Sequence, residues 1–71
     1  MFDRITHDPK VMGGRACIRG MRITVSVILD RIAHGATTEE LLVDYPYLER
    51  EDIQQTLQYA AALAKDEVRL T

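Results

Sequence analysis

Thr37–Asp52 reads TTEELLVDYPYLERED, and its punctuation decides the fold. Thr37 followed three residues later by Glu40 forms a capping box, in which the hydroxyl accepts from the backbone of residue 40 and the Glu40 carboxylate reaches back. A helix is expected over 38–44, with Leu41 and Leu42 pointing into a core. Tyr45 and Pro46 end it, because the residue before proline is pushed out of helical geometry. The next helix opens near Glu49 or Arg50, where Glu51 and Asp52 suit the positive end of the helix dipole. Its apolar periodicity carries on to about Arg69, so two helices flank a turn longer than the usual three or four residues.

Upstream, Val25, Ile28, Leu29, Ile32 and Ala33 recur at helical spacing over 25–34. Thr24 is placed to cap that helix, and Gly35 stands where a left-handed residue closes one. The segment Arg22–Val27 also alternates polar and apolar, as a strand does. Read that way, the chain would follow the ribbon-helix-helix plan, but the helix left after Val27 would be about two turns long and poor at forming a core. Nearer the start, Gly13, Gly14 and Gly20 punctuate Ala16–Ile18 and Met21–Ile23, which reads as a short hairpin. The expectation is one mainly α domain over 1–71, with a hairpin arm over 1–24 and a three-helix bundle over 25–71.

On the last helix, a step of about 100° per residue places Ile53, Leu57, Ala60, Ala61, Ala64 and Val68 on one stripe, read as the core face. Thr56, Tyr59, Leu63 and Leu70 form a second stripe. Either the N-terminal segment covers it or it is a surface for a partner or a second copy. A 71-residue chain buries only about 60% of its unfolded surface. With no disulfide to add stability, a homodimer is expected.

The net charge of −2 hides an asymmetry: residues 1–31 carry +3 and residues 32–71 carry −5. A basic arm on an acidic body suits contact with nucleic acid or an oppositely charged protein, and equally attraction between the two halves. Cys17 is the one cysteine and reads as a small buried apolar group. His7 and His34 have no spaced ligand partners, so neither a metal nor another cofactor is expected. The carboxylates are scattered, no phosphate-loop spacing occurs and no catalytic dyad is evident, which argues against an enzyme. No apolar run marks a signal peptide or membrane span, so a cytoplasmic location is expected.

The markers Gly14, Arg19-Gly20, Arg22-Ile23, Gly35, Tyr45-Pro46, Leu48, Asp52-Ile53 and Tyr59-Ala60 make the chain, from about Ile5 to Ala62, similar to a small prokaryotic family catalogued as domain of unknown function 433. Ala16, Met21 and Glu49 depart from it where proline, threonine and a capping Ser or Thr are common. The resemblance implies a homeodomain-like helix-turn-helix fold. It also implies an antitoxin of a type II toxin-antitoxin pair, which binds a PIN-like ribonuclease toxin encoded nearby and takes its own promoter DNA as a second target. No site residues come with it.

The residues themselves set the alternative, an autonomous DNA-binding regulator, against that reading. The start of the presumed recognition helix, Glu49-Arg50-Glu51-Asp52, carries one positive and three negative charges and is repelled by phosphates. Contact with nucleic acid or a partner would then fall to Arg15, Arg19 and Arg22, with Arg50, Gln54, Gln55 and Gln58 as readers. Tyr59, Leu63 and Leu70 are the candidate oligomer or partner surface. Between phosphate and protein, the acidic second half favours protein contact for the arm.

Overall fold

A computed structural model describes residues 2–67, with side chains placed through residue 65. Strand β1 (Ile5–Thr6) pairs antiparallel with β2 (Cys17–Ile18), Ile5 opposite Ile18 and Thr6 opposite Cys17. Helices α1 (Val25–Ala33), α2 (Thr38–Asp44) and α3 (Arg50–Glu67) follow. The fold is therefore mainly α, three helices beneath a small N-terminal sheet.

Local chemistry sets the helix ends. The Thr24 hydroxyl accepts from the Val27 N–H at 3.2 Å, so the chain turns helical at Val25 and the strand reading of Arg22–Val27 does not hold. At the other end of α1, the Gly35 N–H donates to the Ile32 carbonyl and the Ala36 N–H to the Arg31 carbonyl, each at 3.0 Å. This is the Schellman closure, which places Gly35 at φ 97°. Both arms of the Thr37–Glu40 capping box form, at 2.8 and 3.1 Å. The helix expected to reach Arg69 is described as far as Glu67; residues 68–69 lie outside the described part of the chain.

The expected hairpin is present as one edge of a larger arrangement. Met21 N–H donates to the Ile18 carbonyl at 2.8 Å and Ile18 N–H to the Ile23 carbonyl at 3.1 Å, and Cys17 bridges Thr24. On its other side β2 meets β1, so the Cys17–Ile18 segment lies in the middle. Ile5, Ile18 and Ile23 join Val25, Ile28, Leu41, Leu48 and Ile53 in one core. Cys17 is buried with them.

The face that α3 gives to this core differs from the expected one. Ile53 is buried as expected, but Thr56 is fully buried and Tyr59 half-buried, while Leu57, Ala61 and Ala64 are exposed. The helix is rotated so that Thr56 and Tyr59 of the presumed second stripe face inward, while Leu63 of that stripe stays 47% exposed. The cause is the N-terminal segment, which lies along that side: Phe2 packs edge-to-face on Tyr59 with ring centres 5.5 Å apart.

Two positions on α2 measure this packing. Leu41 is fully buried and Val43 is 77% exposed. Leu41→Ala should therefore lower stability by about 2–5 kcal/mol, and Val43→Ala should change it by no more than about 0.5 kcal/mol, both read from chemical denaturation.

Candidate functional site

The strongest concentration of charge lies where the arm meets the start of α3. Glu49 caps this helix with its backbone, and Asp52, three residues on, returns its carboxylate to the Glu49 N–H at 2.8 Å. This is the reaching-back half of a capping box, made without a Ser or Thr at the cap. Asp52 is fully buried. A buried carboxylate is costly unless its lone pairs are met, and two arginines meet them.

Arg19 sets its Nε 3.0 Å from Oδ1 and its Nη2 2.9 Å from Oδ2, the forked geometry that a guanidinium and a carboxylate share. Arg4 adds Nη1 at 2.9 Å from Oδ1, and the same nitrogen reaches Glu49 at 2.7 Å. Arg19 also donates to the Tyr47 carbonyl at 2.8 Å, which ties the turn between α2 and α3 into the cluster. Its backbone has φ 47°, and Gly20 follows at φ 73°. Hairpin turns of this hand want Asn or Gly at the first position. An arginine there carries strain of order 1 kcal/mol, held by the fork its side chain makes.

Burial alone would raise the Asp52 carboxyl. The hydrogen bonds from Arg19, the Glu49 N–H and Arg4 outweigh it and hold the group below its ordinary value of 3.8.

Below Asp52 on the same side of α3, Gln55 continues the clasp. Its Oε1 accepts from the Arg4 backbone N–H at 2.7 Å and its Nε2 donates to Asp3 at 2.8 Å. Tyr59, a turn further on, holds Phe2 and lies 3.3 Å by its hydroxyl from His7 Nε2. Positions 52, 55 and 59 thus form one helical row that grips Phe2, Asp3, Arg4 and His7.

The other candidates divide. Arg50 pairs with Glu39 at 3.0 Å. Arg15 and Arg22 are exposed and form no ion pair among the described residues. Gln54 and Gln58 are exposed on α3 and, with Asp3, Arg4 and Gln55, line a shallow depression beside the clasp. Leu63 is 47% exposed, and Leu70 lies outside the described residues. Sequence reasoning missed Tyr47, which is 52% exposed and with Met21, Arg22 and Ile23 lines a shallow depression of about 220 Å³. It also missed Arg4 and treated Asp52 only as a helix-start acid.

A wider groove of about 570 Å³ runs between the end of α1 and α2. Its polar walls are already engaged: Arg31 with Asp44 at 2.7 Å, Glu39 with Arg50, Glu40 with the Thr37 N–H, and the His34 ring with the Asp30 carbonyl. No convergent set of free polar groups is left there to orient a small molecule.

The clasp makes a pH prediction. Because the native Asp52 pKa lies below the unfolded one, the unfolded chain binds more protons in the interval between them, and stability falls as pH drops through it. Unfolding free energy should decline below about pH 4 and hold above it. Asp52→Asn should be less stable at neutral pH and flatten that decline; Asp52→Ala, which removes the acceptor Arg19 and Arg4 share but leaves Arg4 on Glu49 and Arg19 on the Tyr47 carbonyl, should cost about 1–3 kcal/mol. Denaturation series at several pH values read both.

Similar proteins share this architecture. A crystal structure of a DUF433 member protein from Anabaena variabilis superposes with a TM-score of 0.82 at 34% identity, over 90% of this chain and 63% of that one. The uncharacterized protein y4eO of Sinorhizobium fredii is 33% identical over 58 residues, 82% of this chain. The chain spans 26% of that relative's length and 63% of the solved structure's. No helix of the described residues is long and apolar enough to cross a membrane. The family model described as protein of unknown function (DUF433) matches residues 5–60, which include Arg19, Asp52 and α1 and α2, and the chain belongs to that family.

Proposed function

We propose that the protein is a binding module rather than an enzyme, an antitoxin that engages a PIN-like ribonuclease toxin through its arm and the turn between α2 and α3. The observation that carries this is the patch formed by Arg22 and Tyr47. An exposed tyrosine beside an exposed, unpaired arginine, with Met21 and Ile23 at its base, has the composition of a protein-binding hot spot. The aromatic ring supplies apolar area with little entropy to lose, and the guanidinium adds directional hydrogen bonds.

The DNA reading draws less support from the same geometry. Arg19 and Arg4 neutralise Asp52 and Glu49, and Arg50 is held by Glu39. The cations near the start of α3 are thus engaged within the chain, while Glu51 remains exposed where a recognition helix would approach phosphates. Lys10, Arg15 and Arg22 remain for a nucleic acid, without a cationic helix start behind them.

Co-expression with the product of the adjacent gene should give a stable complex, and Tyr47→Ala or Arg22→Ala should each weaken it about tenfold or more while leaving the melting temperature unchanged. Failure of the wild-type pair to associate, together with promoter-fragment binding that weakens steeply as salt rises, would replace this reading with the regulator.

A further inference from the structure

The rotation of α3 turns Leu57, Ala61 and Ala64 away from the core and out to solvent. Arg50, Gln54, Leu57, Ala61 and Ala64 are all exposed and follow one another at steps of four and three. That is the heptad spacing of a helix-pairing seam. Beside it, Glu51, Gln58 and Lys65 repeat every seventh residue along one flank, also exposed. Between residues 61 and 65 only Ala62 is even half-buried, so this end of α3 stands clear of the core.

We infer that this side of α3 pairs antiparallel with α3 of a second copy of the chain. Charge and size both select that occupant and that direction. A two-fold axis near residue 59 sets Leu57 against Ala61 of the partner and Gln54 against Ala64. Each larger side chain meets a methyl group, which permits close helix approach. The same axis brings Glu51 of one copy beside Lys65 of the other, twice by symmetry, with Gln58 near its own counterpart. A parallel pair would instead set Arg50 on Arg50 and put Glu51 and Lys65 of the two copies on opposite flanks, where they cannot meet. The seam is therefore complementary to itself only in the antiparallel sense.

This pairing uses none of the Arg22 and Tyr47 patch, so it stands or falls separately from the partner reading. It also replaces the expected dimer surface: Tyr59 is covered by Phe2 within its own chain.

Sedimentation equilibrium of the full chain over micromolar concentrations should show a reversible dimer. Leu57→Glu should abolish it with an unchanged far-ultraviolet circular dichroism spectrum. Glu51→Lys should weaken association about tenfold by facing two lysines across each flank. Combining it with Lys65→Glu should restore the affinity, since positions 51 and 65 lie about 21 Å apart along one helix and cannot compensate within a copy. A monomeric wild type, a dimer that survives Leu57→Glu, or a double variant no tighter than Glu51→Lys would each overturn the inference.

Discussion

A single buried carboxylate organises this small domain. Asp52 lies at the start of α3, closes the helix by accepting the Glu49 N–H, and takes the Arg19 fork and the Arg4 guanidinium on its remaining lone pairs. Removed from water alone, such a group would oppose folding. With every lone pair met, it joins the two ends of the fold: a turn near residue 19, the first strand and the third helix. Ion pairs of this kind add little net stability over a well-packed apolar alternative. Their contribution here is register, because only one placement of the arm puts both arginines on the carboxylate.

That register determines what the rest of the surface offers. With Phe2, Asp3 and Arg4 held along Asp52, Gln55 and Tyr59, the inward side of α3 becomes the row containing Thr56, which is fully buried and whose hydroxyl donates to the Asp52 carbonyl at 2.8 Å. Leu57, Ala61 and Ala64 are consequently turned out to solvent. The clasp also draws two cations out of the pool available to an external ligand and fixes the Tyr47 backbone through Arg19. The exposed Tyr47 ring and Arg22 are left beside each other on a braced turn. Both the exposed Arg22 and Tyr47 side chains and the outward turn of Leu57, Ala61 and Ala64 follow from the same internal salt bridge.

The helices were legible because their signals are local. Thr24, Thr37 with Glu40, Gly35 and Pro46 each act within four residues of where they stand, and the structure places α1, α2 and the start of α3 where those residues require. The rotation of α3 was not legible in this way. Its two apolar stripes are nearly equal in the sequence, and the choice between them depends on contacts spanning about fifty positions, from Phe2 to Tyr59 and from Arg4 to Asp52. The pairing of Ile5–Thr6 with Cys17–Ile18 is similarly hidden, since two-residue strands carry no periodicity. One clue did exist: an arginine directly before Gly20 in a tight turn, where Asn is the easier residue, points to a side chain required elsewhere. Two of the markers by which the chain resembles its family, Arg19-Gly20 and Asp52-Ile53, prove to be the two sides of one salt bridge.

Arg19 and Asp52 act as a unit that fixes the arm on α3. A double-mutant cycle isolates that unit, with Arg19→Ala, Asp52→Ala and the double variant unfolded in denaturant under one set of conditions. Strong coupling is expected: once either partner is gone, removing the other does little further harm. Additive effects, agreeing within the about 0.3–0.5 kcal/mol found for independent sites, would contradict it.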